Sequence, residues 1–174
     1  MKKVRTHIIP YADILCYCLM PDHFHFLLRP KPEGCLPSPS KKVWSGSSKE
    51  QQYQQMLSHQ IKTLLSSYTK AFNRRYNRRG SLFQAKTKAK PGYEDFLPEG
   101  FELVDEIPFT QFMPYLQNCF HYIHNNPVVA HYALIATDWE YSSAVDYAGL
   151  RDGTLCNYAL TEQLLGIKRT QPNP

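Results

Sequence analysis

The chain has 174 residues, 43% of them hydrophobic, and a formal net charge of +5. A length within the roughly 100–200 residues of a common domain favours a single domain over 1–174 and is enough to bury a core. No run approaches the roughly 18 apolar residues of a membrane span, and residues 1–10 lack the apolar stretch of a signal peptide, so a soluble, cytoplasmic protein with no membrane partner is expected.

The elements follow from hydrophobic spacing. Ile14–Tyr17 reads as a strand, Met20-Pro21-Asp22 as a turn and His23–Leu28 as a second strand, together an antiparallel hairpin. Residues 29–49 are rich in Pro, Ser, Gly and Lys and read as a flexible surface linker. Gln51–Tyr76 places Leu57, Ile61, Leu64, Leu65, Tyr68, Phe72 and Tyr76 at three- and four-residue steps, which predicts a long amphipathic helix. Gly80 suits the turn after it. Leu82–Ala89 reads as a strand on which Lys86, Lys88 and Lys90 share a face. Residues 91–108 are acidic and irregular. Thr110 suits the cap of a helix running to about Asn125, and Pro127 disfavours helix at Asn126 and beyond. Trp139–Tyr147 and the tail are less regular. The five cysteines, Cys16, Cys18, Cys35, Cys119 and Cys156, are odd in number without a secretion signal, so reduced thiols are expected.

Charge is unevenly spread. Between Ile61 and Lys90 stand Lys62, Lys70, Arg74, Arg75, Arg78, Arg79, Lys86, Lys88 and Lys90, with no Asp or Glu among them. Tyr68, Phe72, Tyr76 and Phe83 interleave with these cations. A basic, aromatic segment suits a polyanion, and nucleic acid is the first candidate; a merely solvated helix face is the plainer one.

Two motifs can carry chemistry. In His23-Phe24-His25 the imidazoles lie at i and i+2 of a strand and face one side, which makes half of a divalent metal site. The same pattern fits two half-buried polar residues, and Cys16, Cys18, His23 and His25 also offer a zinc set on one hairpin, although structural zinc ligands usually come from loop-like Cys-x-x-Cys turns. The second motif is Tyr122-Ile123-His124-Asn125-Asn126-Pro127. Tyr122 and Asn126 are four apart and share a face if the last helical turn holds. A phenol is a candidate nucleophile toward phosphodiesters and an Asn carbonyl a ligand for a hard cation. With 12 tyrosines in the chain, spacing alone does not single out Tyr122.

Cys18-Leu19-Met20-Pro21-Asp22-His23-Phe24-His25-Phe26-Leu27-Leu28 resembles the signature strand of single-tyrosine HUH transposases, nearest to the REP-associated tyrosine transposases. Tyr68–Lys90, with Gly80-Ser81-Leu82-Phe83-Gln84, is similar to their second block. Tyr122–Val128 is similar to their tyrosine-bearing helix, and Trp139-Glu140-Tyr141-Ser142-Ser143 to a block after it. The blocks keep the family's order across most of Ile8–Asn157.

The resemblance implies an α+β fold, a ferredoxin-like antiparallel sheet with helices on one face, lacking the first strand and helix of the relatives. It implies Tyr122 as catalytic nucleophile and His23, His25 and Asn126 as ligands of Mg²⁺ or Mn²⁺. The implied reaction is cleavage and strand transfer of single-stranded DNA, often folded as a hairpin, through a 5′-phosphotyrosine. Arg74, Arg75, Arg78, Arg79, Lys86, Lys88, Lys90, Tyr76 and Phe83 would bind the DNA. Relatives can set the tyrosine helix against a partner's metal site, which is compatible with a homodimer. Asp22 stands where relatives usually carry Asn; it either assists the site or caps the turn. A nucleic-acid-binding protein without catalysis is the alternative function.

Overall fold

The computed structural model describes residues 1–39, 54–83, 88–90 and 113–171. Among these the chain is mixed α+β, with a two-stranded antiparallel sheet and six helices. The order is α1 (Lys2–His7), β1 (Ala12–Leu19), β2 (Phe24–Pro30), α2 (Pro32–Cys35), α3 (Met56–Arg75), α4 (Met113–Val129), α5 (Ala144–Tyr147) and α6 (Tyr158–Leu165), with a 3-10 turn at Ala136–Asp138. The chain forms two compact units, Met1–Asp13 with Leu28–Thr87 and Ile14–Leu27 with Lys88–Pro174. No described helix is long and apolar enough to cross a membrane.

In the second unit β1 is the centre. Ile14, Leu15, Cys16, Tyr17 and Cys18 are all buried, so this strand is covered on both faces rather than alternating. Its edge away from β2 is closed by the segment 139–143. Cys18 and Ser142 form an antiparallel bridge, Leu19 N–H donates to Tyr141 O (3.0 Å) and Ser143 N–H to Tyr17 O (3.0 Å). The Trp139 indole donates to Leu19 O at 2.8 Å. The hydroxyls of Tyr147 and Thr161 reach Leu15 O. Buried carbonyls need partners, and these side chains supply what a third strand would.

The buried Asp146 carboxylate receives two hydrogen bonds from Arg151, Nε to Oδ1 at 2.5 Å and Nη2 to Oδ2 at 2.9 Å. The same guanidinium donates to Glu140 O (2.6 Å) and Ser142 O (2.8 Å), so it holds the edge segment to α5. Residue 153 is glycine because any Cβ there would collide with the Asp146 carboxylate. α6 is capped at both ends as its sequence directs: Asn157 accepts from Leu160 N–H at 3.1 Å, and Gly166 adopts φ 68° beyond the last turn.

α4 differs from the sequence expectation. It runs through Pro127 to Val129 instead of ending at Asn125. Proline forfeits one N–H bond, but here it lies in the last turn and its ring is fully buried. The carbonyls of Asn126 and Pro127 still accept from Ala130 (2.9 Å) and Tyr132 (2.8 Å), which keeps the turn closed. Phe120, Ile123, His124 and Pro127 form the inward stripe, and Tyr122 lies on the outer side. The end of the chain is also more regular than expected, with α5, the 3-10 turn and α6 within 136–165.

The first unit holds α1, α2 and α3. Part of the expected linker is built: Arg29 and Pro30 end β2, Pro32 starts α2, and Pro37 bridges Gln55. Gly34 is buried against the Tyr11 carbonyl, where no larger side chain fits. Residues 40–49 of that stretch lie outside the described residues, as do Lys86, the acidic 91–108 segment and the Thr110 cap. The strand expected over Leu82–Ala89 is not formed by its described residues: Leu82 and Phe83 sit in a bend, and Lys88–Lys90 are non-regular and exposed. A strand needs a neighbour to pair with, and the sheet holds β1 and β2.

His124 is buried between Phe120 (ring centroids 4.3 Å apart) and Ser143, whose Oγ lies 2.8 Å from its Nε2. Burial, with help from His121, pushes its pKa down to about 4, although Asp146 acts in the other direction. An unfolded histidine titrates near roughly 6.5, so folding selects the neutral ring. The associated stability, up to roughly 3 kcal/mol, is present above that value and is lost as the pH falls toward the folded one. In urea titrations at successive pH values, His124→Gln should flatten the decline of stability between the two values. An equal decline in both proteins would contradict the neutral burial of His124.

Candidate active site

His23, His25, Tyr122 and Asn126 all belong to the second unit, and the structure brings them together. The bend after Met20 is closed by Met20 N–H donating to His23 O at 2.8 Å. His23 therefore immediately precedes β2, and His25 lies within it. Their rings meet edge to face with centroids 4.9 Å apart. The Tyr122 ring stands edge to face against His25 at 5.7 Å. Tyr122 and Asn126 share a face of α4 because the helix continues through Asn126.

The four side chains differ in exposure. Tyr122 is 60% exposed, so its phenol is open to solvent and to a large substrate, whereas Asn126 is buried. His25 is half-buried, and burial together with the neighbouring His23 holds its pKa below the ordinary histidine value; Asn126 acts on the ring in the opposite sense. The His25 ring is thus kept neutral, the state in which an imidazole has a lone pair to give. Its Nε2 is buried and makes no hydrogen bond. A buried nitrogen left in that state is costly unless something else satisfies it.

His23 Nδ1–H donates to Asp22 Oδ1 at 2.6 Å. The bond fixes the proton on Nδ1 and leaves Nε2 as the lone-pair nitrogen. It also draws the exposed Asp22 carboxyl below its usual range. The turn residues of the sequence place Asp22 at the bend, and the fold turns its side chain onto the neighbouring ring.

Two imidazole nitrogens and a carboxamide oxygen fit a divalent ion of the Mn²⁺ or Mg²⁺ kind, the mixed set leaning toward Mn²⁺. The zinc alternative is not assembled. Among the described residues no group of three His, Cys, Asp or Glu side chains could hold a metal. Cys16 and Cys18 are buried, and desolvation raises both thiols, Cys18 to about 11, which disfavours the thiolates zinc requires.

The expected DNA-binding residues fall in two places. Arg74, Arg75, Tyr76, Arg78, Arg79 and Phe83 belong to the first unit, at and beyond the end of α3. Lys88 and Lys90 are exposed and belong to the second unit. No protein-family model, curated protein or solved structure matches this chain.

Replacing Asp22 with Ala should release His23 from the Nδ1–H form, so that the Nε2–H tautomer preferred by free imidazole becomes populated. Long-range ¹H–¹⁵N NMR of the ring reads this directly. An unchanged tautomer would show that Asp22 does not orient His23.

Proposed function

We propose that this chain is a divalent-metal-dependent enzyme that cleaves and rejoins single-stranded DNA, of the single-tyrosine HUH transposase kind, acting in the cytoplasm on a ferredoxin-like scaffold. The observation that carries the reading is the placement of an exposed tyrosine with its ring centroid 5.7 Å from that of His25, which is itself paired with His23, within one chain. The order of the motif blocks along the sequence supports it.

In this reaction Tyr122 Oη attacks the phosphorus of a DNA phosphodiester. The bond to the 3′ oxygen breaks, the phenolic proton passes to water, and the departing oxygen takes one up. The products are a free 3′-hydroxyl and a strand joined by its 5′-phosphate to Tyr122. Attack by a second 3′-hydroxyl restores the phenol and forms a new phosphodiester. One ester replaces another, so no nucleotide hydrolysis is needed. Bound by His23, His25 and Asn126, Mg²⁺ or Mn²⁺ supplies Lewis-acid polarisation of the phosphate oxygens. The chain's own contribution is orientation: α4 presents Tyr122 beside His25, Asp22 holds the lone pair of His23 outward, and the half-burial of His25 keeps it unprotonated.

A pool of labelled random single strands incubated with Mn²⁺ tests the proposal. The wild type should yield a protein–DNA adduct that survives denaturation. Tyr122→Phe keeps the ring and removes one oxygen, so it should abolish the adduct and leave strand binding intact. Adduct at normal yield in this variant would assign the nucleophile to another tyrosine.

The geometry also separates self-sufficient from shared sites. Tyr122 and His25 meet within one chain, so mixing His25→Ala with Tyr122→Phe should not restore the adduct. Recovery on mixing would mean that the working site is built across two copies.

A further inference from the structure

The C-terminal end of α3 and the loop after it carry a feature separate from the Tyr122 site. Tyr68, Phe72 and Tyr76 are four residues apart and form one row along the helix. The Tyr68 and Phe72 ring centroids are 6.2 Å apart, and those of Phe72 and Tyr76 are 4.4 Å apart. The chain then returns so that Phe83 lies 6.0 Å from Tyr68. Four rings therefore form one connected cluster. Its outer members are open: Tyr68 is 52% and Tyr76 56% exposed, and no residue of α3 is buried. Aromatic surface held at the surface of a helix in this way marks an interaction site more often than a packing one.

Arginines flank the cluster. Arg78 stands over Phe72 at 5.7 Å and Arg75 beside Tyr76 at 5.8 Å. Contacts with ring faces restrain the guanidinium planes while leaving N–H groups to meet phosphate. The loop that presents them is shaped by its own hydrogen bonds. Arg78 N–H donates to Asn73 O, and Asn73 Nδ2 donates to Gly80 O, both at 2.8 Å. Asn77 and Gly80 take left-handed φ values of 48° and 93°, which turn the backbone sharply at two points.

We propose that this cluster is a stacking platform for unpaired DNA bases, with the exposed Tyr68 and Tyr76 taking base faces, Phe72 backing them, and Arg75 and Arg78 meeting the adjoining phosphates. Charge selects the partner: the stretch 61–79 of α3 and the loop after it carries six cations and no carboxylate, and a polyanion whose bases are free to stack answers both halves of that surface. Duplex DNA offers the charge but keeps its bases paired, so it meets the arginines alone. The proposal shares with the preceding section the view that the chain handles single strands, but it requires neither cleavage nor a metal.

The test uses the full-length protein in chelator, so that no cleavage intervenes. Fluorescence anisotropy compares labelled oligo-dT, an abasic strand of equal length and a duplex. Wild type should bind oligo-dT more tightly than either of the others. Tyr76→Leu, at an exposed position, should weaken oligo-dT binding about tenfold, within the range that base–aromatic stacking supplies. It should leave abasic binding and the salt dependence unchanged, and Tyr76→Trp should restore affinity. Arg78→Gln should instead weaken both strands and reduce the salt slope. Equal affinity of the wild type for oligo-dT and the abasic strand overturns the platform, as does an equal loss of both in Tyr76→Leu. Adduct formation at Tyr122 is measured separately with Mn²⁺: its failure alone removes the catalytic reading and leaves the platform standing, and loss of base preference alone does the reverse.

Discussion

The candidate site depends on how the outer edge of β1 is satisfied. A strand buried on both faces presents alternate carbonyls to an edge where water does not reach, and each needs a donor. Leu15, Tyr17 and Leu19 find theirs in hydroxyls, an indole and the backbone of the segment 139–143. Ser143 is the junction. Its Oγ accepts from Tyr17 N–H at 2.9 Å, donates to Tyr17 O at 3.1 Å, and lies 2.8 Å from His124 Nε2. One hydroxyl thereby couples the central strand to the inward face of α4. Because His124 faces inward toward β1, Tyr122, two residues before it, lies on another side of the same helix, where its ring meets His25 of β2. The position of Tyr122 is thus linked to a polar contact made by its neighbour two residues along.

The site itself combines opposite requirements. The proposed nucleophile, Tyr122, is exposed, as attack on a polymer would require. The proposed metal ligand His25 is half-buried with its Nε2 enclosed, which favours the neutral, fixed ring such a role would need. The two conditions meet at the boundary of the hairpin and α4, where one ring packs against the edge of the other. Asp22 adds orientation to His23 at an exposed turn, where a bond between adjacent residues persists because the chain keeps the partners close. The Arg151–Asp146 pair has a different role. It is buried at the carboxylate end and satisfied on both oxygens, and it fixes the segment that closes β1.

Pro127 illustrates how a local preference is overridden. Read alone it ends a helix, because it lacks a donor and restricts Asn126. In the folded chain its ring is fully buried and the next turn's amides remain bonded, so the helix gains packing in exchange for one missing hydrogen bond. That continuity sets Asn126 on the Tyr122 face. The linker expectation failed at its start for a related reason. Pro and Gly signalled irregular chain, yet Pro32 opens a helical turn and Gly34 permits a backbone approach that no other residue allows.

What the sequence determined by itself is local. The turn at Met20–Asp22 and the hairpin were legible because turn residues and strand alternation act within a few positions, and α3 because its apolar spacing repeats over five turns. The pairing of His23 with His25 followed from the strand period, whereas that of Tyr122 with Asn126 required the helix to continue past Asn125, against the local preference set by Pro127. Tertiary structure decided which of these pairs meet. No period relates residue 25 to residue 122; they meet in a fold in which Ser143 bonds both Tyr17 and His124 and so ties β1 to α4. It also decided that Lys88 and Lys90 do not lie on a strand, because pairing depends on a neighbour that no local pattern can supply. Periodicity reports which way a side chain faces on its own element, whereas the identity of what it faces is fixed by long-range burial and by the demand that every enclosed polar group find a partner.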